Sequence, residues 1–92
     1  PYWEMEPNND LTDRGLCLAK PGEHYLVYLA EGGHATVEVE GAMAELPTAW
    51  INPRTGDVVE DVPVGNGPAR LIHPGSFGFG DAVLHIGRPL NA

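Results

Sequence analysis

Basic residues are scarce in this chain of 92 residues, and their scarcity excludes two classes of partner. Five Lys and Arg stand against 13 Asp and Glu, so the formal net charge is −8. A nucleic-acid-binding protein needs a row of cationic side chains to neutralise phosphates, and an anionic membrane surface attracts polybasic segments. No apolar run approaches the roughly 20 residues of a membrane-spanning helix. We therefore expect neither a nucleic acid nor a membrane as partner.

Cysteine and serine occur once each, which limits covalent chemistry and metal binding. Cys17 alone can form neither an intramolecular disulfide nor a cysteine zinc cage, and Ser76 lies in a Gly-rich turn outside any G-x-S-x-G setting. Four histidines lack the H-x-x-x-H and H-x-H spacings of metal sites: His24, His34, His73 and His85. We therefore predict no metal, no cofactor and no nucleophilic catalysis.

Glycine and proline are plentiful, with 12 Gly and 9 Pro, and the apolar residues occur in short runs between them. Short runs at regular spacing are typical of antiparallel sandwiches, and a chain of this length has room for one core. We predict an all-β fold, a small antiparallel β-sandwich of about seven to eight short strands. The predicted strands are residues 16–19, 24–30, 34–40, 48–52, 58–62, 69–73 and 81–86, and residues 42–46 are a loop or a weak strand.

Two turns are predicted from glycines. Glu31-Gly32-Gly33 supplies positive-φ positions, so we predict a hairpin between strands 24–30 and 34–40. Pro53 followed three residues later by Gly56 predicts a type I turn with a bulge, in which Gly56 has a positive φ. Alternation of apolar residues assigns a core between two sheets: Val27, Leu29, Val37, Val39, Ile51, Leu71, Leu84 and Ile86.

Residues 1–15 differ from the rest of the chain, and we predict an N-terminal arm or interdomain linker that leads into a sandwich domain, residues 16–92. The chain begins at Pro1 without an initiator methionine or a signal peptide, so we expect a processed product or an excised piece. Tyr2, Trp3 and Met5 lie in the arm, outside any predicted strand. Tyr28 lies on a second apolar face of strand 24–30, which a two-layer sandwich leaves uncovered.

We therefore predict that Tyr2, Trp3, Met5 and Tyr28 form an interface with a partner, or a homodimer contact in the isolated chain. Desolvated interface cores are enriched in Trp, Tyr and Met. Phe77 and Phe79 lie in the turn-rich sequence PGSFGFG. They either cap the end of the sandwich or form an exposed pair that stacks on a sugar ligand.

Four segments resemble one known domain family: PYWEMEP (1–7), LCLAKPGEHYLVYLAEGG (16–33), AWINPRTGD (49–57) and DAVLHIG (81–87). They are similar to the small C-terminal β-sandwich that follows a (β/α)8 catalytic barrel in certain bacterial glycoside hydrolases. That family is named as the collagen-binding domain of a collagenase. The resemblance implies a non-catalytic accessory role, a glycoside hydrolase catalytic domain as partner, and a parent protein that is periplasmic or secreted.

The acidic residues do not predict an active site of their own. Glycoside hydrolysis needs two carboxyl groups in a cleft, about 5–5.5 Å apart for retention or about 6.5–9.5 Å for inversion. Glu38 and Glu40 share the solvent face of one predicted strand, where we expect both to stay in contact with water and outside any cleft. We expect a solvated acidic surface, no catalytic residues, and a chain that is not an enzyme by itself.

Two functions stay open from the sequence. The first is an accessory sandwich that packs against a glycoside hydrolase barrel and aids carbohydrate substrate binding. The alternative is an independent ligand-binding module for a polysaccharide or an extracellular matrix protein.

Overall fold

A computed structural model of the chain describes residues 5–20, 22–31, 33–77 and 80–87. Its strands are β1 (Glu6–Pro7), β2 (Leu16–Lys20), β3 (His24–Leu29), β4 (His34–Val39), β5 (Leu46–Ile51), β6 (Val58–Val64), β7 (Gly67–Ile72) and β8 (Ala82–Gly87). Two short 3-10 turns lie at Asn9–Leu11 and Gly75–Phe77. Within the described ranges, no helix is long and apolar enough to cross a membrane.

The strands form two antiparallel sheets, which confirms the predicted all-β sandwich. The larger sheet has six strands in the order β1-β2-β3-β8-β5-β6, and the smaller pairs β4 with β7. The predicted hairpin between β3 and β4 is wrong, because β3 pairs with β2 and β8 while β4 pairs with β7. Gly33 does have a positive φ, of 95°, but the turn carries the chain from one sheet to the other. β3 of the larger sheet and β4 of the smaller sheet each bury one face in the core between the sheets.

The core lies between the sheets and follows the two-residue period of the strands. Seven of the eight predicted core residues are buried in it: Val27, Leu29, Val37, Val39, Leu71, Leu84 and Ile86. Ile51 is the exception and is only half-buried. Its neighbour Trp50 is fully buried on the inner face, so Ile51 points to the outer face of β5.

Residues 5–15 connect the two sheets along one edge of the sandwich. Pro7 pairs with Leu18 of β2, so β1 extends the larger sheet. Thr12 bridges to Val37 of β4, and the backbone NH of Asp13 donates to the carbonyl of Thr36 at 3.1 Å. The described part of the predicted arm therefore packs on the sandwich and pairs with both of its sheets.

The turn between β5 and β6 has the conformation that its sequence predicts. Gly56 has a φ of 82°, and its backbone NH donates to the carbonyl of Asn52 at 2.7 Å. The NH of Asn52 donates to the carbonyl of Asp57 at 2.8 Å, which closes the hairpin. This turn places Arg54 next to the segment that precedes β8, a contact that matters for the surface described below.

Candidate functional site

The outward side of the six-stranded sheet carries two rows of side chains that cross from β2 to β6. The registers of the strands align the first row as Leu16, Tyr28, Val83, Ile51 and Val58, all of them apolar or aromatic. Residues directly opposite each other on neighbouring strands project from the same face and contact one another. Leu16 is 63% exposed and Val58 is 60% exposed, so both ends of this row are open to solvent.

The second row lies one pleat further along and contains Leu18, Leu26, His85, Ala49 and Glu60. Pro7 of β1 extends it at the edge of the sheet, where it pairs with Leu18. We call the two rows together with Pro7 the outer face. A contiguous apolar area of this kind usually marks an interaction surface, whereas single exposed apolar residues are ordinary.

An apolar groove of about 490 Å³ lies on the β1–β2–β3–β8 part of the outer face. Its exposed walls are formed by Leu16, Leu18 and Tyr28, with Leu26 and Val83 between them. Asn9 is the polar side chain of the lining, and its Oδ1 already accepts a hydrogen bond from the backbone NH of Cys17 at 2.9 Å. The groove therefore offers apolar contact and few polar groups.

Tyr28 is held at the rim of this groove by a polar network. Its hydroxyl donates to Oδ2 of Asp81 at 3.1 Å, and Oδ1 of Asp81 lies 3.1 Å from Nε of Arg54. The hydrogen bond to Asp81 raises the pKa of Tyr28, with burial and the negative charge of Asp81 as smaller causes. The ring is therefore oriented before any partner arrives, which lowers the entropic cost of burying it.

His85 lies at the centre of the second row and is unusually enclosed for an outward-facing residue, at 8% exposed. Its ring stacks on that of His24, with the centroids 5.7 Å apart and the planes 15° apart. Burial lowers the pKa of His85, and the charge of His24 lowers it further. Among the described residues, no hydrogen-bond partner reaches Nε2 of His85.

A depression of about 320 Å³ beside His85 has two carboxylates in its lining, together with apolar and small residues: Pro47, Thr48, Ala49, Glu60, Asp61, Pro63 and Gly87. A metal site needs three or more ligands at close range. In the described part of the chain, no group of three or more His, Cys, Asp or Glu is placed to bind a metal ion.

The predicted site residues lie in different environments in the structure. Tyr28 lines the apolar groove, and its role in an interface stays a prediction. Met5 is buried, at 7% exposed, so little of it is open to a partner in the structure as described. Phe77 is buried in the core cluster, which fits a cap at the end of the sandwich and not an exposed stacking ring. Tyr2, Trp3 and Phe79 lie outside the described residues.

The residues that sequence reasoning missed are those at the two ends of the first row, Leu16 and Val58, together with Val83 and Ile51. A signal was present at β2, where Leu16 and Leu18 flank the buried Cys17 and make that strand apolar on both faces. The row itself comes from the pairing of five strands, which no local pattern specifies.

No family model matches the chain, and no curated protein matches it by sequence. A solved structure described as "Glycoside hydrolase" is similar in fold, with a TM-score of 0.71 and 20% sequence identity. The match covers 95% of this chain and 22% of that chain, so this chain spans about a fifth of that hydrolase. At this identity the likeness concerns the fold, which agrees with the sandwich described above.

Proposed function

We propose that this chain is a non-catalytic accessory β-sandwich domain of a glycoside hydrolase polypeptide. The observation that carries the proposal is the fold match, in which nearly all of this chain corresponds to about a fifth of a chain described as a glycoside hydrolase. We take a sandwich that forms a minor part of a hydrolase chain to be an accessory domain of that chain. The sequence segments that resemble the C-terminal sandwich of bacterial glycoside hydrolases support the same assignment.

The chemistry of the described surface supports a non-catalytic role. Hydrolysis of a glycoside requires a carboxylic acid that protonates the leaving oxygen and a second carboxylate on the other side of the bond. The apolar groove has no carboxylate in its lining. Glu60 and Asp61 line the separate depression beside His85. Glu60 is exposed to solvent, and both oxygens of Asp61 already accept hydrogen bonds, from Nε1 of Trp50 at 3.2 Å and from the backbone NH of Val62 at 2.8 Å.

The proposal is tested first by the parent reading frame and then by activity. We expect a hydrolase domain encoded in frame with this sandwich, in a periplasmic or secreted protein. The whole polypeptide should cleave an aryl glycoside, and the 92-residue chain should not. Glu60→Gln in the whole polypeptide should leave kcat unchanged.

Cleavage of the aryl glycoside by the 92-residue chain, abolished by Glu60→Gln, would overturn the non-catalytic assignment. A reading frame with no hydrolase domain would overturn the accessory assignment. Retardation of the 92-residue chain in gels that contain a polysaccharide, or its capture on collagen, would instead favour the independent ligand-binding module.

Tyr2 and Trp3 belong to the proposal as residues that contribute to the contact with the hydrolase domain. Trp3→Ala should then raise the rate of proteolysis between the two domains and leave any glycan binding unchanged. An unchanged rate of proteolysis would remove Trp3 from the contact.

A further inference from the structure

We infer that the outer face of the six-stranded sheet is a docking surface for a second domain of the same polypeptide. The identity of that domain as the hydrolase rests on the proposed function, whereas the location of the surface rests on the geometry of this domain. Three properties of the outer face lead to a tethered domain as its occupant: its charge, its area and the small number of polar groups in its apolar groove.

Charge is nearly absent from the outer face although the chain carries a net charge of −8. Glu60 is the one carboxylate in its two rows. At one end of the face, Nζ of Lys20 lies 3.1 Å from Oε2 of Glu23, and at the other end Arg54 pairs with Asp81 at 3.1 Å. Ionic groups at both ends are therefore already compensated, which lowers the cost of removing water from the surface between them.

The area of the outer face is too small for a stable dimer. Six strands at spacings of about 4.8 Å give a width of ~24 Å, and five to six residues at about 3.3 Å give a length of ~17–20 Å. The product is ~400–480 Å² on one partner, about half of the ~800 Å² per partner in a standard stable interface. Two free copies would therefore associate weakly through this face.

This lower limit on area does not apply to a domain that is covalently linked to this one. Interfaces between domains of one chain start at about 600 Å² in total, or ~300 Å² on each side. A short linker also gives an effective concentration in the millimolar range, which replaces part of the missing contact energy. The area of the outer face lies within the range for a covalently linked neighbour.

A glycan fits the groove less well than an apolar protein surface does. Sugar sites combine an aromatic face with several polar groups that converge on the hydroxyls. In the groove, Oδ1 of Asn9 accepts from Cys17 NH, and the hydroxyl of Tyr28 donates to Asp81. The partner surface that suits this face is apolar at its centre, with a Lys or Arg placed opposite Glu60.

The test uses the whole polypeptide and three matched variants. Leu16→Asp and Val58→Asp place a carboxylate at either end of the first row, at side chains that are 63% and 60% exposed. Ile72→Asp is the control, because Ile72 is 64% exposed and lies on β7 of the other sheet. The two test variants should increase the rate of proteolysis between the domains at least fivefold and split one calorimetric transition into two. Ile72→Asp should do neither.

Hydrogen exchange in the same samples separates undocking from misfolding. Amides of β3 and β8 should keep their protection in all three variants, since none of the three substitutions touches the core. The inference is overturned if Leu16→Asp and Val58→Asp behave like Ile72→Asp. It is also overturned if sedimentation equilibrium shows a dimer of the parent that Leu16→Asp dissociates, or if Leu16→Asp abolishes retardation by a polysaccharide.

The activity of the neighbouring domain and its release by the test variants distinguish a failure of the proposed function from a failure of the docking surface. If the neighbouring domain has no hydrolase activity but is released by Leu16→Asp, the docking surface stands and the accessory assignment falls. If the neighbour is a hydrolase and neither test variant releases it, the accessory assignment stands and the docking surface falls.

Discussion

Nε of Arg54 lies 3.1 Å from Oδ1 of Asp81, and this ion pair joins the β5–β6 turn to the residue that precedes β8. Nη2 of the same guanidinium donates to the carbonyl of Phe77 at 2.9 Å. The other oxygen of Asp81 accepts the hydroxyl of Tyr28. One arginine therefore fixes both the 3-10 turn that buries Phe77 and the carboxylate that orients Tyr28 on the groove.

Arg54→Lys should lower the free energy of unfolding by about 1–2 kcal/mol, because a lysine keeps the charge but cannot contact Asp81 and the Phe77 carbonyl in the same fork geometry. Half of the Arg54 side chain is solvent-exposed, which keeps the expected effect modest. Urea denaturation measures it. Arg70→Lys, on an exposed position of β7, is the control and should change the midpoint little. Equal midpoints for the two variants would contradict this role of Arg54.

Gly56→Val should cost about 1–2 kcal/mol through the backbone alone. The φ of Gly56 is 82°, a region that a β-branched residue rarely adopts, whereas a Cβ at this position would meet no atom within 4 Å. Gly65→Val is the control, a glycine-to-valine substitution without the cost of a positive φ. Its Cβ would also meet nothing within 4 Å, but Gly65 is not among the glycines with positive φ. We therefore expect a clear drop in Tm for the first variant only, and equal Tm values would exclude a conformational cost at Gly56.

The strands could be predicted from the sequence because glycine and proline separate them and the apolar residues alternate within them. Val37 and Val39 on β4, for example, are buried as the alternation requires. The partner of each strand could not be predicted in this way. Gly33 provides a turn, but a positive φ does not determine whether the next strand joins the same sheet or crosses to the other.

The candidate surface was predictable only in part, because it too depends on which strands pair with each other. Tyr28 stands out because β3 is apolar on both faces, but its neighbours Val83 and Leu16 come from β8 and β2 and reach it through long-range pairing. Ile51 shows the limit of local patterns. The pattern of apolar residues predicts that Ile51 lies in the core, but adjacent residues of a strand face opposite sides, and its neighbour Trp50 occupies the inner side.

Leu84→Ala should destabilise the domain by about 2–5 kcal/mol, because Leu84 is fully buried in the core of the central strand β8 and its truncation leaves a cavity. A domain of this size has little stability to lose, so part of the population should unfold at room temperature. Ile72→Ala removes a similar side chain from an exposed position and should change the free energy of unfolding by less than about 0.5 kcal/mol. Thermal denaturation followed by circular dichroism compares the two. A small effect of Leu84→Ala would mean that β8 is placed in the wrong register.

The stability of the domain should fall as the pH drops below about 6.5, and His85 should contribute to this fall. Burial, with the charge of His24 as a second cause, lowers the pKa of His85 from its usual 6.5. Between the lowered pKa and 6.5 the unfolded chain binds more protons than the folded chain, so the free energy of unfolding decreases as the pH decreases. Above pH 7 both states are neutral at this ring, and its contribution is constant.

His85→Leu isolates that contribution, because leucine suits the apolar neighbours Leu26 and Ala49 across the strands and cannot bind a proton. Urea denaturation of both proteins between pH 5 and pH 8 gives the two pH profiles. The profile of the variant should be flatter than that of the parent below pH 6.5 and parallel to it above pH 7. Ile72→Leu, which changes an exposed side chain that binds no proton, is the control and should keep the profile of the parent. The prediction is contradicted if the free energies of unfolding of His85→Leu and the parent have the same slope below pH 6.5. Burial of His85 would then not oppose its protonation in the folded domain.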